Sequence, residues 1–439
     1  MKIEISDNKK WQYSLTIKMI LLAIMGLFLL APLEMIKSII RERQKNSENI
    51  KKEIAFQWAG QQTISGPVLN IPLKIYPAKK EADPYISIFH LMPETLIIQG
   101  DVKTEIRHKS IYQAVVYTTE MKISGEFDIP EINSGERSEI LWNEAYYTIG
   151  ISDNRGLKGG VSIKADSVII DAIPGLKDPD IFSSGITFPT VLQPQRKRIQ
   201  FSLAFKLSGS ESLSFTPMGK TTTVNLRSPW DSPGFMGSFL PTDRTINNAG
   251  FEASWQVTNL NRNFPQYWTG SVYKPSNDSF GVDFILQVDH YQKSLRSAKY
   301  GILFIALTFL ALLFAELTIN EKIHVFHYLQ VALALVIFFS LLNALSEQIG
   351  FNLAYLISAA STIILISFFL RALIRKNRPV ILIGGLLVFL YSFIFILLTL
   401  NDYAYLAGNI GLFILLGITM KLSLKLKINE NDPSLDNQS

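Results

Sequence analysis

The chain has 439 residues, of which 48% are hydrophobic and only 18% charged, with a mean hydropathy of +0.21; these values exclude a disordered or fully solvated protein and point to membrane spans. It contains no cysteine, so disulfide frameworks, iron–sulfur centres and thiol nucleophiles are ruled out by inventory. A net charge of +5 would suit nucleic acid, but Lys and Arg cluster beside apolar segments, where they set membrane orientation, and no nucleic-acid partner is expected.

A hydrocarbon core about 30 Å thick needs about 20 helical residues to cross it. After a basic segment at 1–18, the first such helix is placed at 19–36; Lys18 and Glu34 snorkel at the ends of its uncharged stretch. Leu29, Leu30, Ala31, Pro32, Leu33 and Glu34 offer no small-x-small cleavage site, so this segment reads as an uncleaved anchor. Residues 37–298 form a large domain, and five further spans follow at 299–316, 325–346, 349–370, 379–400 and 403–420, with a tail at 421–439.

Orientation follows from the short connections. With the N-terminus inside, Lys2, Lys9, Lys10 and Lys18, then Lys322, then Arg371, Arg375, Lys376 and Arg378, then Lys421, Lys425 and Lys427 all fall in the cytoplasm, while the short outer loops carry Glu347 and Asp402. Lys37, Arg41, Arg43 and Lys45 lie outside, but long translocated domains are exempt from the charge rule. Both termini are therefore expected to be cytoplasmic and the large domain periplasmic.

In that domain the charged stretch Ile39 to Gln57 lacks Gly and Pro and continues the first span as a helix, ended by Trp58 and Gly60. Beyond it the hydrophobic period falls to two. Ile199, Phe201, Leu203, Phe205 and Leu207 alternate with smaller or polar residues, as do Phe251, Ala253, Trp255 and Val257, and Tyr117, Thr119, Met121 and Ile123. Weaker runs bring the total to about a dozen short strands, predicting antiparallel sandwich-like packing, with the stretch Pro174 to Pro194 as a candidate divide between two halves. The expected class is thus membrane α+β: one N-terminal transmembrane helix, a β-rich extracytoplasmic domain and a C-terminal bundle of five transmembrane helices.

An ordered series of landmarks runs through the chain. Trp58 and Gln62 lead into Gly66-Pro67-Val68-Leu69-Asn70-Ile71-Pro72, followed by Leu91-Met92-Pro93-Glu94, Ile151-Ser152-Asp153-Asn154-Arg155-Gly156, Ser228-Pro229-Trp230-Asp231-Ser232-Pro233-Gly234-Phe235 and Gly250-Phe251-Glu252-Ala253-Ser254-Trp255. In the membrane part come Arg296-Ser297-Ala298-Lys299-Tyr300-Gly301, Ile323-His324, Ser346-Glu347 and Gly350-Phe351. In order and spacing these resemble the CreD inner-membrane proteins, also called cell envelope integrity proteins, over nearly the whole chain. The departure is His324-Val325-Phe326-His327-Tyr328, where the family pattern reads His-Pro-x-Gln-Tyr. The resemblance implies a role in envelope maintenance, tolerance of envelope stress and of colicins, and expression linked to a two-component sensor. It implies no catalytic residues.

Two groups of residues are candidates for function. Asp153, Arg155, Trp230, Asp231 and Phe235 form a candidate interaction surface for an envelope component or a membrane-protein partner; their competing reading is turn and core, with Asp153 bonding the backbone and Gly156 at positive φ. Glu316, His324, His327 and Glu347 form a candidate polar cluster at the membrane boundary; a metal on the histidine pair competes with simple headgroup contacts, and no metal or cofactor is expected. The polar groups deeper in the spans, Thr308, Asn343, Ser358, Ser361, Thr362, Ser367 and Ser392, are all neutral and read as interhelical hydrogen bonders. No Gly-x-Ser-x-Gly elbow, His-Glu-x-x-His helix, Walker loop or dinucleotide fingerprint occurs, so an enzyme is not expected. An enzyme would need Asp153, Arg155, Asp231 and Arg244 to converge; a transporter or lipid-handling protein, the alternative function, would need a cavity walled by Asn343, Ser358 and Ser361.

Overall fold

The computed structural model describes residues 15–77, 83–110, 112–132, 137–284, 286, 290–319, 323–374 and 377–400, with isolated positions between 406 and 420. Residues 1–14 of the predicted basic N-terminus, almost all of the last predicted span and the C-terminal tail lie outside the described residues. The chain divides into a helical unit, Met1–Asn46 with Val288–Ser439, and a β-rich unit, Ser47–Gln287.

In the helical unit, α1 (Leu15–Phe28) and α2 (Leu30–Trp58) are separated only at Leu29, and α2 ends at Trp58, where the sequence stops offering helix formers. Next come α3 (His290–Lys299) and α4 (Gly301–Ile319), bent by 42° at Tyr300, then α5 (Val325–Ile349), α6 (Phe351–Ile374) and α7 (Asn377–Thr399). Gly350, at φ 78°, ends α5 in a conformation that disfavours side chains and lets α6 begin at once. Among the described residues, four helices are long and apolar enough to cross a membrane, or five if the bent α3–α4 pair counts as one span. Of the five C-terminal spans expected from sequence, three correspond to α5, α6 and α7; the bent α3–α4 pair lies where another is expected, and almost all of the predicted span 403–420 is outside the described residues.

These helices pack tightly. A Cβ on Gly301 would lie 2.8 Å from Leu33 and 3.1 Å from Phe339, so the missing side chain lets α4 approach both α2 and α5. Phe304, Phe338 and Tyr391 bring α4, α5 and α7 together with ring centroids 4.7–6.0 Å apart. Two of the deeper polar groups differ from expectation: Thr308 and Thr362 donate to Phe304 and Ser358 carbonyls on their own helices, while Tyr355 makes an interhelical bond by donating to the Tyr391 carbonyl at 2.9 Å. A threonine hydroxyl satisfies itself on its own i−4 carbonyl more readily than it reaches across.

The β-rich unit holds two sheets. In the first, the spatial order is Ile173–Pro174, Gly185–Pro189, Tyr146–Ile151, Gln62–Ile75, Ser212–Thr216, Phe280–Phe284, Pro233–Gly237, with Tyr85–Leu91 and Ser138–Ile140 added on the long strand Gln62–Ile75 and Tyr267–Thr269 added on Tyr85–Leu91. In the second it is Asp243–Asn247, Gly250–Thr258, Thr221–Ser228, Thr95–Lys109, Tyr112–Asp128, Arg198–Ser210, Ser162–Ala165, Val168–Asp171. Residues 199, 201, 203, 205 and 207 are buried and residues 198, 200, 202, 204 and 206 exposed, as the period of two requires; from Ser208 to Ser210 the strand is buried throughout. Buried residues of both sheets belong to one hydrophobic cluster. The stretch Pro174 to Pro194 does not divide the unit, because Gly185–Pro189 inside it pairs along Tyr146–Ile151.

Trp255 sits fully buried in that cluster, its ring 5.7 Å from those of Phe235 and Phe280 and its indole N–H donating to the Phe239 carbonyl. Trp255→Ala should cost the β-rich unit about 3–5 kcal/mol, visible in the full-length protein as a lower denaturant midpoint for loss of its β-sheet circular dichroism.

Candidate functional site

The first candidate group divides into two places. Asp153 and Arg155 grip the end of α2. The Asp153 carboxylate accepts from the Gly60 amide at 2.9 Å and from its own Arg155 at 2.6 Å, and Arg155 donates to the Phe56 carbonyl at 2.9 Å while lying over the Phe56 ring. A guanidinium on a last-turn carbonyl opposes the negative end of the helix dipole. Gln62 completes the joint by donating to the Asp153 and Ser208 carbonyls, and Trp58 donates to the Tyr117 carbonyl. The Arg155 guanidinium holds the Asp153 carboxyl down at about 2. Gly156 departs from expectation: it is absent from the positive-φ glycines, and its role is close approach, since a Cβ would stand 2.2 Å from the Ser208 carbonyl and 2.4 Å from Gln62.

Trp230 and Phe235 are not a surface groove. Both pack against the main hydrophobic cluster; the Phe235 ring meets Phe251 and Trp255 edge-on, and Trp230 donates to the Ser232 carbonyl. Asp231 accepts from Ser232. The five residues thus do not form one interaction surface. Nor do the ionisable groups converge as an enzyme would need: Asp153 pairs with Arg155, while Arg244 lies over Phe235, 5.7 Å from its centroid.

What the aromatic block borders is a polar groove on the solvent face of the second sheet, about 500 Å³ in volume, with Arg244 in its lining. Strand register sets its chemistry in two rows. One runs Asp243, Ser254, Asn225, Gln99, Lys122 across five strands; the other runs Thr245, Glu252, Arg227, Asp101, Glu120. At about 4.8 Å per strand, each row is about 19 Å long. Within them Arg227 pairs with Asp101 at 3.0 Å and Ser254 donates to Asn225 at 2.8 Å. The groove was invisible in sequence because its rows follow the register between strands, and register is a tertiary fact.

The second candidate group also divides. Glu316, at the end of α4, accepts from Lys18 Nζ at 2.5 Å and from the Tyr328 hydroxyl at 2.9 Å, and Lys18 donates to the Ile323 carbonyl at 2.6 Å. Glu347, at the far end of α5, accepts from Tyr291 at 3.4 Å and lies 4.0 Å from Arg43. His324 caps α5 by accepting from the Phe326 amide, and His327 lies 3.3 Å from Gln330 Oε1. No group of three or more His, Asp or Glu able to hold a metal occurs among the described residues. Between α6 and α7 lies an apolar groove of about 700 Å³ lined by Leu356, Ile363, Val388 and Phe395 among others, not by Asn343, Ser358 and Ser361.

Over residues 14–429 the chain matches the family model described as inner membrane protein CreD. It is 30% identical over 400 residues to the inner membrane protein CreD of Escherichia coli strain K12, an alignment that spans 87% of each chain. The chain belongs to the CreD family of inner membrane proteins. In this CreD-family chain the landmarks Trp58 and Gln62 and the Asp153 to Gly156 run, about ninety residues apart in sequence, meet at the end of α2.

One further cluster escaped the sequence reading, because His90 carries no motif around it. His90 lies on Tyr85–Leu91, is 1% exposed, and has Nδ1 2.7 Å from Asn70 Oδ1 and Nε2 3.6 Å from Asp180 Oδ2. Burial pushes its pKa down from 6.5 to about 4. The unfolded chain therefore takes up a proton that the folded one refuses between those values, so stability is full above pH 6.5 and is lost as pH falls toward 4. The expected loss is about 3 kcal/mol. In equilibrium unfolding of the full-length protein, His90→Gln should flatten the slope across that window; an unchanged slope would assign the acid sensitivity elsewhere.

Proposed function

We propose that this CreD-family protein contributes to envelope integrity by holding a β-rich domain in the periplasm, where the polar groove of the second sheet binds an envelope polymer, with both chain termini in the cytoplasm. The orientation is supported by the positive residues of the short connections, Lys322 and Arg371 to Arg378, against Glu347 on the other side. It is supported too by the spacing of the two polar fastenings: Tyr328 and Glu347 are nineteen residues apart on α5, about 28 Å along a helix and close to the hydrocarbon thickness.

The observation that carries the binding role is the pair of cross-strand rows. A central Ser254, Asn225 and Gln99 offer hydroxyl and amides, flanked by carboxylates and by cationic Lys and Arg, on a face with no large aromatic side chain in its lining. Such a face suits a linear ligand rich in hydroxyls and amides and bearing both charges, the chemistry of peptidoglycan. Lipid handling by the helical unit is the second reading, supported by the apolar groove between α6 and α7, whose Leu, Ile, Val and Phe lining matches acyl chains.

Photoreactive residues at Asn225 and Thr245, with a control at Leu260, which is 90% exposed and outside the groove, test the first reading in cells. Adducts at 225 and 245 that a muramidase shortens, absent at 260, are expected. Equal labelling at all three positions, or adducts of lipid alone, would remove the polymer from that face.

A further inference from the structure

Behind the segment 175–184 the β-rich unit contains a small cavity lined by Asn70, His90, Tyr146, Thr148, Asp178, Ile181 and Phe182. Its chemistry is one-sided. Asn70 donates its amide to Thr148 Oγ1 at 2.9 Å and faces the carbonyls of Tyr146 and Val68, so its oxygen is the atom turned to His90 Nδ1. An acceptor at 2.7 Å fixes the ring hydrogen on Nδ1, and a neutral imidazole then presents a bare lone pair at Nε2. That Nε2, on a side chain only 2% exposed, has no hydrogen-bond partner, and neither has the buried Tyr146 hydroxyl.

The group nearest to Nε2 is another acceptor, the Asp180 carboxylate at 3.6 Å, and Asp178 stands beside it. Burial first, and then repulsion from Asp180, raises the Asp178 carboxyl, and burial together with both carboxylates raises the Tyr146 phenol. The neighbouring cation does not answer them: Lys177 donates to the Glu144 carbonyl at 3.3 Å, lies 4.0 Å from the Glu144 carboxylate and sits over the Tyr146 ring. Trp268 covers the other side of the imidazole and brings no charge. The cavity therefore gathers the Nε2 lone pair, the Asp178 carboxylate with Asp180 beside it, and a phenol whose single O–H can serve only one of these acceptors, and it gathers no positive charge. Its volume of about 10 Å³ admits one atom of the size of a water oxygen. Water would supply the donors but leave the charge; the residues do not form a metal-ligand group of three.

We propose that this cavity is a binding site for a protonated primary amine, whose –NH₃⁺ donates to His90 Nε2, to the Asp180 carboxylate and to the Tyr146 oxygen. The half-buried aspartates give it a way in from solvent. Tyr146 also lines a cleft of about 750 Å³ with Val168, Ile170, Ile173 and Val191, which gives an aliphatic stem a place to lie. The site is separate from the polar groove, so neither proposal depends on the other.

The chain has five histidines, so ¹³Cε1-histidine spectra of the full-length protein in detergent are simple, and His90→Asn identifies the His90 signal by its loss. At pH 7.5 methylammonium should shift that signal saturably, and n-butylammonium should do so at lower concentration. Tetramethylammonium, which has no N–H, and sodium at matched ionic strength should leave it in place. Asp180→Asn, an isosteric change on a side chain 26% exposed, should weaken the methylammonium response about tenfold or more. A shift that sodium or tetramethylammonium reproduces, a stronger response to zinc ion than to methylammonium, or no saturable shift at all would each overturn the proposal.

Discussion

The ion pair between Lys18 and Glu316 is the constraint on which the helical unit depends. Lys18 is only 8% exposed, and a charge removed from water at a membrane boundary is tolerable only when its donors are used and an opposite charge is in contact. Both conditions hold: Lys18 meets the carboxylate and the Ile323 carbonyl, and Glu316 takes the Tyr328 hydroxyl as well. Four segments, α1, α4, the turn after it and α5, are thereby fixed to one point. At the other end of α5 a looser set, Arg43, Glu347 and Tyr291, links α2, α3 and α5. Between the two points the packing of Leu29, Leu33, Phe304 and Phe339 is undirected, as apolar contacts in a bilayer are; the polar ends give it a register.

The N-terminal span was legible in the sequence as a length of apolar residues, but the meaning of Lys18 was not. A lysine at a span end reads as snorkelling to the headgroups, and only the spatial neighbour, Glu316, almost three hundred residues away, turns it into a fastening. The strands with strict alternation, such as Arg198–Ser210 and Gly250–Thr258, were equally plain, because one buried face imposes the period. Strands such as Ser212–Thr216, buried at every position, and Asp243–Asn247, exposed at every position, carry no alternation and were missed. The break at Leu29 has a local cause, since Pro32 has no N–H for the Phe28 carbonyl and its ring crowds it, and the bend at Tyr300 directly precedes Gly301.

The functional residues show the same division. Asp153 was recognised as a turn former, since Asp–x–Arg–Gly bonds its own backbone, but its hold on the Gly60 amide could not be read from spacing. Trp230 and Phe235 looked like a surface because they sit in a block of turn residues; aromatic side chains there are pulled inward by the area they bury. The polar groove and the His90 cavity are products of strand register. Each gathers residues that carry no motif singly and meet only because adjacent strands set them side by side. The two sites also differ in kind: the groove is wide and of mixed charge, whereas the cavity is minute and rich in acceptors.

The fastening of the N-terminal span is tested most directly by exchanging its charges. Lys18→Met and Glu316→Gln each leave a polar partner buried without its counterpart, and each should lower the thermal midpoint of the detergent-solubilised protein, at a cost of about 3–5 kcal/mol for an uncompensated charge. The exchange Lys18→Glu with Glu316→Lys should recover most of that loss. Single variants as stable as the parent, or an exchange no better than the worse single change, would contradict the account.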